Sequence, residues 1–241
     1  MGNHEMTSSL QIKIFADGAS LPGIIEMSRN PLISGFTTNP TLMRKAGISD
    51  YEAFAREALQ VVTKLPISFE VFSDELREME RQALKIASWA DNVYVKIPST
   101  NTHGESTHEM AASLAQAGVK LNVTAMTTPA HVARMLPALA GGPPAIASIF
   151  AGRVADSGRD PVPLMQECLE LLKSAPNVEL LWASPRELFN LIQADAMGCH
   201  IITMTNDLVA KMTLLGKNLD EFAMETVKMF RHDAEQAGFH L

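Results

Sequence analysis

Val93-Tyr94-Val95-Lys96-Ile97-Pro98 reads as a β-strand with two unlike faces. Side chains alternate across a strand, so residues two apart share a face. Val93, Val95 and Ile97 are β-branched and lie together, which suits a surface packed under helices. Tyr94 and Lys96 share the other face. If the strand belongs to a barrel, that second face points inside.

The surrounding chain supports a barrel. Strand-like runs at 11–16, 32–38, 67–72, 92–98, 120–126, 145–150, 178–183 and 200–204 make eight. Helical patterns alternate with them at 22–28, 40–45 with 50–64, 74–88, 106–117, 129–140, 160–174, 185–197 and 206–215. Ser73, Thr128 and Ser184 stand where capping hydroxyls open helices, the last two directly before a proline. Gly118 and Gly198 stand where a left-handed residue ends one. The fold expected is α/β, a single (β/α)8 TIM barrel over 1–241 with 219–239 as an extra C-terminal helix. The rival is an open doubly wound sheet. That fold usually brings a glycine-rich phosphate loop after its first strand, whereas Asp17-Gly18-Ala19-Ser20 follows here.

Composition sets the outer limits. The chain has 241 residues, 46% hydrophobic and 20% charged, as in an ordinary globular protein. Its formal charge of −7 disfavours nucleic acid and anionic membranes as partners. Cys168 and Cys199 form no CxxC pair and read as reduced, buried thiols of a cytoplasmic protein. The stretch 1–9 is polar, with no basic segment leading into an apolar one, so no signal peptide is expected.

Strand alternation delivers one chemical set to the inside. Ser68 and Glu70 turn in against Ile67, Phe69 and Val71. Asn122 and Thr124 turn in against Leu121, Val123 and Ala125. Ser148 and Phe150 share a face, Asp17 ends the first strand, and Thr37 and Asn39 end the second. Most of these positions are late in their strands, where barrel active sites sit. A hydrogen-bonded polar layer would explain a lone hydroxyl or amide. Asp, Glu and Lys inside one barrel are costly to bury and point to catalysis.

Lys96 is the informative member. Burial disfavours its charged form, and a neutral amine attacks a carbonyl to make a Schiff base. The iminium then draws electrons from a neighbouring carbon–carbon bond. Asp17 and Glu70 are the candidate acid/base groups, and Asn39, Asn122, Thr124 and Ser148 could hold a polyol. The alternative for Lys96 is an ion pair with Asp17 or Glu70.

Gly35-Phe36-Thr37-Thr38-Asn39-Pro40-Thr41 resembles the N-terminal signature of the transaldolase family. Val95-Lys96-Ile97-Pro98 resembles its Schiff-base strand, and Asn122-Val123-Thr124 and Ser148-Ile149-Phe150-Ala151-Gly152-Arg153 resemble its next motifs. The likeness runs from about 11 to 216, and the length resembles the short branch, which includes fructose-6-phosphate aldolases. The resemblance implies a cofactor-free, metal-free transferase of carbohydrate metabolism acting in the pentose phosphate pathway. It would move a dihydroxyacetone unit between phosphosugars, from fructose 6-phosphate or sedoheptulose 7-phosphate to an aldose phosphate. It implies Lys96 as the Schiff-base lysine and Asp17 as acid/base, with Glu70 and Thr124 holding a proton-relaying water. Thr37, Asn39, Asn122, Ser148 and Phe150 would contact the substrate, and Arg153, Ser184 and Arg186 its phosphate. The residues fit, since a helix opened by Ser184-Pro185-Arg186 would favour an anion and Arg153 offers a bidentate fork. The alternatives are an N-cap role for Ser184 and an ion pair of Arg153 with Asp156. The aldolase branch tends to carry Gln at Glu70 and Tyr at Phe150, so this chain looks like a transaldolase. Release of free dihydroxyacetone, or a phosphosugar-binding barrel without catalysis, are the competing functions.

Other signals are weaker. His103, Glu105 and His108 share one polar loop, which does not bring metal ligands together from several strands. The segment 219–239 is amphipathic through Leu219, Phe222, Ala223, Val227 and Phe230. It either caps the barrel or packs on a neighbouring subunit, and the resemblance implies a homo-oligomer.

Overall fold

The computed structural model describes residues 10–241, so the expectation about 1–9 lies outside the described residues. Two compact units are present, Gln11–Val209 and one containing Ala210–Leu241. The first is a closed barrel of strands β1 to β8 in chain order. The strands are Lys13–Asp17, Ile33–Thr37, Ile67–Glu70, Val93–Pro98, Leu121–Met126, Ala145–Ile149, Val178–Trp182 and Ile201–Thr205. Every neighbouring pair is parallel, and β1 closes on β8. This is the (β/α)8 fold, and each expected strand is found within a residue or two of its place.

The strands are connected by α1 (Leu21–Ser28), α2 (Pro40–Lys45), α3 (Tyr51–Val61), α4 (Leu76–Ala87), α5 (His108–Gln116) and α6 (Pro129–Leu139). They continue with α7 (Ala151–Asp156), α8 (Pro161–Leu172), α9 (Phe189–Ala196) and α10 (Asn206–Ala210). Several starts follow their side chains. Asn39 and Asp50 cap α2 and α3, and Thr128 caps α6 by accepting from the His131 amide at 3.3 Å. Gly118 and Gly198 take φ of +85° and +79° just past α5 and α9.

Two expected starts differ. Ser73 accepts from the Glu75 amide, but α4 begins three residues later, at Leu76. Ser184 and Pro185 do not open a helix: α9 begins at Phe189. Asn190 explains the delay, because its Oδ1 takes the amides of Arg186 and Glu187 and folds the intervening chain into a loop.

The outward faces form the main core, with Ile67, Phe69, Val95, Ile97, Val123, Ile149, Leu180 and Ile202 fully buried. Inside, Phe15, Ile146, Leu181 and Ile201 pack together with Tyr94 and plug the barrel. The Phe15 ring needs Gly35 opposite, since a Cβ there would stand 2.5 Å from its Cζ. The plug fills the interior below and leaves the C-terminal mouth for polar side chains.

The second unit contains a 3-10 turn, Lys211–Leu214, and helix α11, Leu219–Gln236. Asn218 caps α11 by accepting from the Asp220 and Glu221 amides. Leu219, Phe222, Val227 and Phe230 are exposed. No described helix is long and apolar enough to cross a membrane.

Candidate active site

The strands' C-terminal ends surround a cavity of about 550 Å3. Asp17, Thr37, Asn39, Glu70, Lys96, Thr124, Ser148, Phe150, Arg153, Ser184 and Arg186 all line it. Asn122 does not. It is fully buried one layer down, where its amide donates to Ser68 and its oxygen accepts from Ser148 at 2.6 Å. Asn122 therefore reaches the cavity through the Ser148 hydroxyl.

Lys96 stands among acids. Register places it beside Glu70 on β3 and Asn122 on β5. Its Nζ is 3.2 Å from Glu70 Oε2 and donates to the Thr38 carbonyl at 3.3 Å. The lysine is thus both lodged in the cavity and ion-paired with Glu70. Asp17 accepts a hydrogen bond from Thr37 Oγ1 at 2.8 Å. Burial pushes the Asp17 carboxyl above its usual range, against the opposing pull of the Lys96 charge and the Thr37 hydroxyl. An acid raised in this way is suited to exchange protons with a bound substrate.

Thr124 is presented by an irregularity. The β5–β6 register shifts between Val123 and Met126, and Ala125 adopts φ +60°. A bulge of this kind re-aims the neighbouring side chain. The buried Thr124 Oγ1 has no hydrogen-bond partner among the described residues, which leaves it open to a substrate or water in the cavity.

The cavity also holds two arginines. Arg186 forks onto Asp156, with Nε donating to Oδ1 at 2.8 Å and the second bond made to Oδ2. Those bonds hold the Asp156 carboxyl below its ordinary value. Asp156 thus hydrogen-bonds Arg186 rather than Arg153, the partner considered from sequence. Arg153 lies over the Phe150 ring, 5.8 Å from its centroid. Ser184, at φ +58°, sits in the loop with Arg186, so no helix N-terminus stands at this position.

The sequence reading missed several lining residues, among them Lys45, Thr203 and Thr205. Thr203 matters most. Its hydroxyl contacts that of Thr37, which already donates to Asp17, so Thr203 is the donor to Thr37. Strand parity could have found it, because Ile201, Thr203 and Thr205 share a face opposite Ile202 and Met204.

Two of the three polar-loop residues have other partners, while the buried His108 Nδ1 has none among the described residues. His103 Nε2 is 3.4 Å from Asp74, and Glu105 accepts from Asn101. Among the described residues no group of three or more His, Cys, Asp or Glu could hold a metal. Cys168 and Cys199 are free and buried, and burial pushes each thiol up to about 12.

Comparison with known proteins gives a consistent result. The family described as Transaldolase/Fructose-6-phosphate aldolase matches residues 14–241. A probable transaldolase of Dehalococcoides mccartyi is 33% identical over 202 residues, covering 83% of this chain and 90% of that protein. One from Streptococcus equi subsp. zooepidemicus is 34% identical over 203 residues, covering 84% and 90%. Probable transaldolase 2 of Listeria monocytogenes is 35% identical over 202 residues, covering 83% and 88%.

Proposed function

Because the chain belongs to the transaldolase and fructose-6-phosphate aldolase family, we propose that it is a class I transaldolase working through a Schiff base on Lys96. The observation that carries this reading is one buried lysine, Lys96, inside a cavity shared with Glu70 and the protonatable Asp17. The substrate is a ketose phosphate such as fructose 6-phosphate or sedoheptulose 7-phosphate, as in the pentose phosphate pathway.

The neutral amine of Lys96 attacks the ketose C2 carbonyl. Protonation of the resulting hydroxyl expels water and leaves an iminium. Asp17 takes the proton from the C4 hydroxyl as the C3–C4 bond breaks. An aldose phosphate leaves, and the bonding pair rests as an enamine on Lys96. The enamine attacks the aldehyde of an acceptor aldose phosphate, whose oxygen takes a proton back from Asp17. Water returns to the iminium and frees the new ketose. Glu70 and Thr124 hold that water, the latter with a buried hydroxyl that has no partner among the described residues. Thr37, Asn39 and Ser148, the last tied to Asn122, hold the dihydroxyacetone hydroxyls. Arg153, Ser184 and Arg186 receive the phosphate, and Phe150 supports Arg153.

Glu70 and Phe150 favour transfer over release of free dihydroxyacetone. The exposed apolar residues of α11 support a homo-oligomer, and we read the chain as one barrel domain with 219–239 appended. A cytoplasmic site of action goes with this metabolic role.

The test is glyceraldehyde 3-phosphate release from fructose 6-phosphate, with and without erythrose 4-phosphate. Release that requires the acceptor supports the transaldolase. Sustained release without it makes the protein an aldolase. Borohydride trapping with fructose 6-phosphate tests the lysine, and no adduct on Lys96 overturns the Schiff base.

A further inference from the structure

The end of the β2–β3 ladder is irregular. Phe36 N–H donates to the Pro66 carbonyl at 2.8 Å, and Thr38 N–H to the Ser68 carbonyl at 3.1 Å. In a parallel ladder the next bond would run from Glu70 N–H to the Thr38 carbonyl. That bond is diverted. Glu70 N–H donates to the Tyr51 hydroxyl at 2.8 Å, and the same hydroxyl donates to the Glu70 carbonyl at 2.6 Å. The buried Thr38 carbonyl accepts instead from Lys96 Nζ. A backbone oxygen that would have closed the sheet is left to hold the amine.

We propose that Tyr51 is a positioning residue: by taking the ladder bond at Glu70, its hydroxyl frees the Thr38 carbonyl to orient the Lys96 amine and fixes the strand end carrying the Glu70 carboxylate. The proposal rests on Lys96 being the reactive amine. Tyr51 acts from α3, outside the barrel, and lines no part of the cavity. Its ring is held between Phe72, at 5.4 Å between centroids, and Trp89, at 6.2 Å, and Trp89 in turn packs edge-on against Phe69. Burial, reinforced by the Glu70 charge, pushes the phenol above its usual range, so the hydroxyl keeps the proton that it donates. Because Tyr51 engages both backbone groups of Glu70, it determines the direction in which that side chain leaves the strand.

Tyr51→Phe keeps the ring and removes the hydroxyl. Glu70 N–H is then free to return to the Thr38 carbonyl, and Lys96 loses the acceptor that orients its amine. The other charged groups facing the amine are Glu70 from β3 and Asp17 from β1, with Lys45 from α2 and Arg153 from α7 also lining the cavity. None of these is altered in the variant.

The measurement is the rate of borohydride-trapped adduct formation with fructose 6-phosphate across pH, together with steady-state KM and kcat. Tyr51→Phe should lower the high-pH plateau of capture about tenfold. KM should stay within about twofold of the parent, since no substrate contact is removed, while kcat falls with the plateau. Phe72→Leu is the control. It loosens the Tyr51 ring without removing the hydroxyl and should leave the plateau in place. Adduct formation in the parent with an unchanged plateau in Tyr51→Phe overturns the proposal alone. So does an equal fall in Phe72→Leu, which would make the effect general loosening. No adduct in the parent overturns the lysine reading and this proposal with it.

Discussion

Gly152 lies so close to Ser184 that a Cβ built on it would stand 1.6 Å from the Ser184 carbonyl oxygen. Gly152 N–H also donates to the Ala183 carbonyl at 3.3 Å. The start of α7 is therefore fastened to the loop that follows β7, which carries Ser184 and Arg186. The opposing atom is backbone and gives way only if the loop moves. Gly152→Ala should cost about 2–3 kcal/mol, a fall of roughly 5–10 °C in Tm at this chain length. It should also raise the KM for fructose 6-phosphate. Thermal melts and steady-state kinetics check both, and an unchanged Tm would show that the loop yields freely.

The Lys96–Glu70 pair makes a second prediction. Lys96→Ala should abolish turnover and adduct formation while the barrel still folds. It also leaves Glu70 without its cation in a largely enclosed place, which should cost about 1–3 kcal/mol at neutral pH, less than a fully buried pair because solvent reaches the carboxylate. Adding Glu70→Gln removes the stranded charge. The double variant should recover most of the lost stability in urea melts and none of the activity. A double variant no more stable than Lys96→Ala would mean that Glu70 gains nothing from its partner.

Asp17 links pH to stability with the opposite sign from most acids. Its folded carboxyl is raised above the ordinary value of 3.8, chiefly by burial. The native state therefore holds the proton more tightly than the unfolded chain, and stability falls as pH rises through the folded value. Asp17→Asn keeps an oxygen to accept from Thr37 and removes that cost. Its Tm should exceed that of the parent at pH 7, and the difference should shrink as pH falls toward 3.8. Activity should drop roughly 10²–10⁴-fold, the usual worth of a positioned acid/base. A Tm below that of the parent at pH 7 would show that the charge is welcome.

Thr203→Val tests the hydroxyl chain behind the same acid. Thr203 donates to Thr37, and Thr37 to Asp17. The isosteric change leaves Thr37 free to turn. It should cost about 1 kcal/mol of stability and roughly threefold to tenfold in kcat, with KM little changed. An unaltered kcat in the pH range of the parent's optimum would remove Thr203 from the acid/base apparatus.

Much of this was legible from alternation alone. Val93, Val95 and Ile97 against Tyr94 and Lys96 place the lysine inside correctly, because a barrel strand between helices and a filled interior has two apolar demands that only one parity can break. What failed was local chemistry with a tertiary answer. Ser184-Pro185 looks like a helix start, but the chain is held as a loop by Gly152 on one side and the Asn190 side chain on the other. The six-residue α7 is too short to show a helical period. Tyr51 had no sequence signal, since its partner is the backbone of a strand 19 residues away.

The two arginines are not equivalent, and their difference can be measured. Arg186 has its fork committed to Asp156, whereas Arg153 hydrogen-bonds no carboxylate among the described residues and rests on the Phe150 ring. An arriving phosphate finds the Arg153 donors free and must compete for those of Arg186. Arg153→Ala should therefore raise the KM for fructose 6-phosphate the more, by roughly 10- to 100-fold, in line with losing charge-assisted hydrogen bonds. Arg186→Ala should raise it severalfold. The Arg186–Asp156 pair is solvent-exposed and weak, so Asp156→Asn should release Arg186 and lower the KM by about twofold to fivefold. Neither arginine variant should change the KM for unphosphorylated fructose. Equal effects of Arg153→Ala and Arg186→Ala would mean that the phosphate draws Arg186 from Asp156 at no cost. A matching rise with fructose itself would place both arginines away from the phosphate.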